Sequence, residues 1–256
     1  MTRPVNSMNP MLKSLIMFLY PSQCRHCGEN LDPSDGHYIC KSCWDKVEFI
    51  KRPYCETCGY PLEPPAALPD RIASCRYCPD RAWFRKARSI AVYDSAVGEA
   101  IRLLKYSGKI IMAKPLADMM VKAMSAFFGM ENYDYIIPVP IHKKKRRERG
   151  YNQMELIGRK LSQTIGIPME ARSFIKTVNS PSQTSRASHS DRLENVRGTF
   201  GVRDPSLIAD KRILLIDDVL TTGATVNESA RTLAREGKVK FVDALTLSRR
   251  IQTERV

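Results

Sequence analysis
The chain has 256 residues, 43% of them apolar, enough to bury the core of one large domain or two. Its 41 Lys and Arg stand against 27 Asp and Glu, a formal charge of +14. That balance favours polyanionic partners (nucleic acid, pyrophosphate-bearing substrates, an acidic surface) and says nothing of fold. No stretch is long and apolar enough to span a bilayer, so an integral membrane protein is not expected.

The most apolar N-terminal piece, Leu15 to Tyr20, is too short for a signal-peptide core and is stopped by Pro21 rather than by a small-residue cleavage site. Residues 9–20 predict a short amphipathic helix, within a lead segment of residues 1–22. A cytoplasmic chain with reduced cysteines is the expectation.

All eight cysteines then fall in four Cys-x-x-Cys pairs between residues 23 and 80: Cys24 with Cys27, Cys40 with Cys43, Cys55 with Cys58, Cys75 with Cys78. Each pair converges two thiolates on one ion from a tight turn, and a second pair completes a tetrahedron. Gly28 and Gly59 directly follow a pair and suit the backbone of such a turn. The segment is poor in large aliphatics and rich in proline, so core burial alone would not stabilise it. Two structural Zn²⁺ ions would, at apparent folding energies of ~10–16 kcal/mol each. A thioredoxin-like redox site has one such pair, not four, and a disulfide framework needs a secreted chain. Sequential pairing is preferred because the halves look like a repeated zinc ribbon, with cross-bracing left open by the spacing.

Beyond residue 80 cysteine disappears and a second domain, residues 81–256, is expected. Arg88 to Tyr93 predicts a strand and Asp94-Ser95 a turn. Ala100, Ile101 and Leu104 follow with helical spacing, and Met112 to Phe128 predicts a helix whose apolar face is core packing. Between them Leu104-Lys105-Tyr106-Ser107-Gly108-Lys109 reads as a polar turn whose lysines, Lys105 among them, would face an anion. Tyr135 to Val139 predicts a strand. It leads into six basic residues within seven positions, Lys143 to Arg149, then Gly150-Tyr-Asn-Gln153 and a helix to about Ile165. We read the basic run as a loop that receives the pyrophosphate end of a ligand, with Arg147 and Arg149 favoured for their bidentate fork. Residues 175–200 form a long polar loop, with a short helix expected over 190–196. Arg186, Arg192 and Arg197 are placed there to close over a bound anion, and His189 carries little information.

Ile213 to Ile216 is a four-residue apolar run, the pattern of a strand buried on both faces in a parallel sheet. Asp217 and Asp218 follow at its C-terminal end. The turn Thr221-Thr222-Gly223-Ala224-Thr225 comes next, then a helix presenting Val226, Ala230, Leu233 and Ala234 on one face. A response-regulator receiver would open with such a pair, whereas only a short tail follows here. A Walker B strand lacks its phosphate loop, G-x-x-x-x-G-K-[ST], anywhere in the chain. The order of strand, acids, hydroxyl-rich turn and helix instead resembles the ribose-5-phosphate-binding signature of type I phosphoribosyltransferases. The turn offers N–H groups and hydroxyls to a phosphate at a helix N-terminus, and the acids accept from vicinal sugar hydroxyls.

Taken in order, the double zinc ribbon, Leu104-Lys105-Tyr106-x-Gly108, Pro138-Val-Pro140 with Arg149-Gly-Tyr-Asn-Gln153, Ser182-Gln183, Asp191-Arg192-x-x-Asn195-Val196 and Asp217 to Thr225 resemble the ComF family of competence-associated proteins. The resemblance implies an α/β fold: a type I phosphoribosyltransferase-like domain, with a central parallel sheet flanked by helices, behind a small double zinc-ribbon module. It also implies handling of incoming single-stranded DNA in natural transformation, with other DNA-uptake proteins as possible partners. Under this reading Asp217 and Asp218 hold the ribose hydroxyls and help retain Mg²⁺. Val219 and Thr221 to Thr225 grip the 5′-phosphate of phosphoribosyl pyrophosphate, and Arg147, Arg149 and Lys105 meet its charge. No residue set reveals an attacking nucleophile, so a transferase with an unknown acceptor, or a ligand-sensing regulator, stand as alternatives to a binding protein of DNA uptake.

Overall fold
The computed structural model describes residues 22–31, 38–62, 75–129, 132–179 and 196–251. The lead helix, residues 190–195 of the expected short helix, Arg186, His189 and Arg192 all lie outside the described residues, while Val196 is a buried turn residue.

The larger part is a parallel sheet. Strands β1 (Ala87–Val92), β2 (Tyr135–Pro138), β5 (Arg212–Leu220) and β6 (Phe241–Arg249) lie in the order β1-β6-β5-β2. All three pairings are parallel, with Ile213 opposite Val242 and Ile136 opposite Leu214. The run Ile213–Ile216 sits in the middle of the sheet and all four side chains are fully buried. Their alternation sends Leu214 and Ile216 to one face, and Ile213 and Leu215 to the other. Each such burial contributes about 1.5–3 kcal/mol, which makes this strand the anchor of both layers.

On the first face lie α2 (Ala96–Tyr106), α3 (Ala113–Phe128) and α5 (Gln153–Ile165), packing Leu104, Leu116, Met120, Ile157 and Leu161 on Leu214 and Ile216. On the second lie α6 (Ala224–Arg235) and the antiparallel pair β3 (Phe174–Lys176) and β4 (Phe200–Val202). There Val226, Ala230 and Leu233, with the stacked rings of Phe174 and Phe200, cover Ile213 and Leu215.

Two expectations need correction. The basic run is not a loop: Lys143–Arg149 forms a short helix, α4. His142 caps it by accepting from the Lys144 N–H, Arg146 makes a two-pronged bond to Glu155 at 2.5 and 2.9 Å, and its last-turn cations face the negative end of the helix. Likewise Lys105 and Tyr106 are the last turn of α2 rather than part of a polar turn.

The cysteine segment, which carries the short helix α1 (Lys41–Asp45), is seated against the first strand of the sheet. Ile50 N–H donates to the Ile90 carbonyl and Val92 N–H to the Glu48 carbonyl, both at 2.9 Å, so residues 48–50 pair antiparallel to β1. Further along, Ala87 N–H donates to the Thr57 carbonyl at 2.8 Å. At the opposite edge, residues 168–170 after α5 pair with Ile136 of β2 through Ile136 N–H to the Pro168 carbonyl and Glu170 N–H to the Ile136 carbonyl.

Candidate functional site
Every loop at the C-terminal end of the sheet contributes to one cavity of about 810 Å³. Tyr93 comes from the end of β1, Val139 to His142 from the end of β2, and Arg250 from the end of β6. The end of β5, the connection after it and the start of α6 supply Asp217, Asp218, Val219, Thr221 and Thr225. This is where open α/β sheets place ligands, because strand order and connections leave a crevice there.

The acids lie within the strand rather than beyond it, since β5 continues to Leu220. They are nearly buried, at 9% and 6% exposure, and their surroundings differ. Asp218 Oδ1 accepts from Lys105 Nζ at 2.7 Å and Oδ2 from Gln153 Nε2 at 2.8 Å. Burial would raise its pKa, but the Lys105 charge and these two donors bring it below the ordinary carboxylate value. Asp217 accepts the Asp218 N–H at 2.9 Å. Burial, followed by the neighbouring Asp218 charge, pushes its carboxyl up to about 7. Lys105, expected to face an anion, is therefore spent on Asp218; burial acts against its charge, but Asp218 holds its pKa above the ordinary value.

In the hydroxyl-rich turn, Thr221 and Thr225 line the cavity. Thr222 is buried and caps the turn by accepting the Ala224 N–H at 3.3 Å, while Gly223, at φ +81°, and Ala224 shape the backbone that starts α6. A twelve-residue helix thus begins at the cavity, its first N–H groups free of intrahelical partners.

Of the α4 cations, Arg149 and Lys145 line the cavity, whereas Arg147 is exposed and not part of its wall. Arg149 donates to Gln153 Oε1, so Gln153 ties a cation to Asp218. Five contributors are absent from the sequence reading of the site. Lys145 was hidden among equivalent neighbours in the charge run. Lys176 enters from β3, and its pKa is lowered by burial and by Lys145. Tyr93 and Arg250 come from strand ends that carry no motif, with the Arg250 guanidinium 5.0 Å from the Tyr93 ring centre. Gln153 alone had a signal, as part of Gly150-Tyr-Asn-Gln153. Arg197, placed in the lid, is exposed at the end of the described loop and does not line the cavity.

The eight thiols separate in sequence order, Cys24, Cys27, Cys40 and Cys43 in one group and Cys55, Cys58, Cys75 and Cys78 in the other, with all sulfurs of a group within 4.8 Å. Cys24 and Cys43 stand 3.8 Å apart and Cys27 and Cys40 3.7 Å in the first; Cys55 and Cys78 stand 3.5 Å apart and Cys58 and Cys75 3.6 Å in the second. Tetrahedral zinc with Zn–S bonds near 2.3 Å requires about 3.8 Å between sulfurs, and no pair approaches disulfide length. Each group also contains a thiol that ionises readily. Burial opposes it, but N–H groups of Cys27, Cys40 and His26 bring Cys24 to about 6, and a bond from Cys58 brings Cys55 to about 4. The residues fit two structural zinc ions, which would contribute folding energy and no chemistry to the cavity.

Comparison with known proteins agrees with both halves. Residues 15–81 match a double zinc ribbon domain and residues 156–256 a phosphoribosyl transferase domain. "Competence protein F" of Haemophilus influenzae is 27% identical over 228 residues, covering 87% of this chain and 95% of that protein. "Competence protein ComFC" of Bacillus subtilis is 27% identical, covering 82% and 84%. "DNA utilization protein YhgH" of Shigella flexneri is 26% identical, covering 86% and 94%. Among the described residues no helix is long and apolar enough to cross a membrane.

Proposed function
We propose that this chain, a homologue of the ComF competence proteins that joins a double zinc ribbon to a phosphoribosyltransferase fold, binds phosphoribosyl pyrophosphate with Mg²⁺ and acts in DNA uptake by handling single-stranded DNA. Its zinc module is read as residues 23–80 and its binding domain as 81–256.

The observation that carries the reading is the β5 edge: an acid pair, a hydroxyl turn and a helix N-terminus that share one cavity with Lys145, Arg149, Lys176 and Arg250, with Lys105 paired to Asp218. Thr221, Thr225 and the first N–H groups of α6 receive the 5′-phosphate. Asp217 accepts from a ribose hydroxyl and is the carboxylate left to help retain Mg²⁺, because Asp218 already takes a donor on each oxygen. Asp218 holds Lys105 and Gln153 in place, and through Gln153 orients Arg149 toward the pyrophosphate. Mg²⁺, when bound with the ligand, supplies charge neutralisation at the pyrophosphate.

The opposite wall favours a nucleic acid. Tyr106 is 72% exposed at the mouth, with the Arg149 guanidinium 5.8 Å from its ring centre, and Tyr93 lies beside Arg250. Aromatic faces with flanking cations are what unstacked bases and their backbone bind. The same wall gives room for an acceptor, so transfer of the phosphoribosyl group with release of pyrophosphate is the second reading.

Calorimetry with phosphoribosyl pyrophosphate and Mg²⁺ tests the site. Wild type binds, and D217N together with D218N does not; binding undiminished in the double variant removes the assignment. For DNA, six or more phosphate contacts predict a loss of ~10³–10⁵ in affinity between 50 and 200 mM salt, and a flat response removes the electrostatic case. Pyrophosphate release on adding single-stranded DNA or free bases decides for turnover.

The pH dependence of stability has a definite sign. Asp217 titrates near 7 in the fold against an ordinary value of 3.8. The fold thus gains from its neutral form below about pH 4 and loses that gain as pH rises through 7. D217N therefore raises the thermal midpoint at pH 8 and leaves it nearly unchanged at pH 4, while abolishing ligand binding.

A further inference from the structure
We propose that Arg249 is a positioning residue that joins the second four-cysteine site to the ligand cavity, so that ligand binding and metal retention at that site support each other. The inference rests on the cavity being the phosphoribosyl pyrophosphate site.

Arg249 ends β6 and is only 1% exposed. Its Nη1 donates to the Cys58 carbonyl at 2.6 Å, and Nη2 lies 3.9 Å from Cys58 Sγ. The guanidinium stands 4.9 Å from the centre of the Tyr60 ring, which stacks at 3.7 Å on Tyr77, the residue between Cys75 and Cys78. Its backbone reaches the other way. The Arg249 carbonyl accepts from Tyr93 N–H at 2.9 Å, and the next residue, Arg250, donates its N–H to the Leu220 carbonyl at 3.0 Å. Tyr93 and Arg250 are cavity wall. Successive residues of an extended chain point to opposite sides. Arg249 accordingly enters the ribbon while Arg250 enters the cavity.

Four thiolates around one Zn²⁺ form a cage of net negative charge, and a buried guanidinium against it is answered. Without the cage the same guanidinium is a buried charge lacking a counter-charge, a costly state that the chain relieves by moving Arg249. Any such movement carries the carbonyl that holds Tyr93 and shifts Arg250. Coupling of this kind is reciprocal: what the metal does for ligand affinity, the ligand does for metal retention. The first four-cysteine site is packed into the apolar layer with α2 and α3.

The test uses the full-length protein with two zinc ions bound and follows their transfer to excess 4-(2-pyridylazo)resorcinol, with and without phosphoribosyl pyrophosphate. C55S together with C58S identifies the phase belonging to the second site. The ligand is expected to slow that phase about fivefold or more, the lower end of typical coupling, and to leave the first-site phase unchanged. Weak chelation of zinc by the ligand would speed release, so slowing is not its artefact. R249M releases the second zinc faster and loses the ligand effect. R249K keeps the charge without the paired donors, recovers part of the effect, and is the readout if R249M fails to fold. Ligand binding by calorimetry with an unchanged second phase, or equal slowing of both phases, overturns the inference alone. No ligand binding to the intact protein overturns it together with the site reading.

Discussion

The two zinc ribbons share ligand chemistry and spacing logic, yet they are fastened to the sheet domain by different forces. The first contributes Cys24, Ile39, Cys40, Cys43 and Val47 to the same apolar cluster as Leu104, Leu116 and Met120. The second forms a small cluster of its own, Cys55, Cys58 and Tyr60 with Cys75, Tyr77, Cys78 and Ile251. It is held by polar groups: Arg249 on Cys58, and Arg88, which donates to the Glu56 and Ala87 carbonyls and pairs with Glu56 Oε2 at 2.9 Å. Apolar fastening makes the first ribbon part of the global core. Directional fastening makes the second a separable unit that reports on particular contacts.

The largest effects come from removing a zinc ligand. C43S opens the main core as well as losing a metal. It is expected to cost several kcal/mol, lowering the thermal midpoint of the whole chain by about 2–4 °C per kcal/mol. C78S melts its ribbon locally, with a smaller change in the global transition seen by calorimetry. Equal shifts would erase the distinction.

Next in size is Arg88, 4% exposed and 4.8 Å from the Tyr54 ring centre. R88M removes the Glu56 Oε2 partner and the donors to the Glu56 and Ala87 carbonyls, while Arg52 still pairs with Glu56 Oε1 at 2.8 Å, and is expected to cost about 1–3 kcal/mol. The loss should appear as faster hydrogen exchange in residues 53–62, with α2 and α3 unaffected.

Gly28 and Gly59 sharpen the contrast further. Both have positive φ, +82° and +68°, so alanine strains either by about 1–2 kcal/mol. A Cβ at Gly28 meets open space, whereas one at Gly59 would lie 2.5 Å from the Ala87 carbonyl oxygen. G59A should therefore lower the midpoint clearly more than G28A, and parity would mean the second knuckle does not sit on β1 as described. The smallest effect is at Lys41–Asp45, an exposed i,i+4 pair with side chains 77% and 60% exposed. K41A is expected to change stability by less than about 0.5 kcal/mol in denaturant unfolding.

What was legible in the sequence follows from which signals are local. Ile213 to Thr225 carries strand, acids, turn and helix in contiguous residues, and Cys-x-x-Cys declares its chemistry at a spacing of three, so both were readable directly. Strand ends were not. Tyr93, Lys176 and Arg250 become neighbours only through sheet order, which no short window encodes. The basic run misled in the opposite direction. Its charge density suggested a loop, but the cap at His142 and the Arg146–Glu155 pair nine residues apart make it helical and turn Arg147 outward. Lys105 reads as a free cation in the sequence because its partner Asp218 lies 113 positions further along the chain.

The pairing of residues 48–50 with β1, and of residues 168–170 with β2, has a consequence for solubility. A four-stranded parallel sheet ends in two rows of backbone donors and acceptors that another chain can extend by adding a strand. Here both rows are engaged by short irregular segments of the same polypeptide. One of these guards lies between the two ribbons, so loss of zinc is expected to release it. A chain stripped of metal would expose β1, with Ile90 and Ala91 at its centre, as a template for intermolecular strand addition. Demetallated protein should accordingly fail by assembling into β-rich aggregates before the sheet itself unfolds.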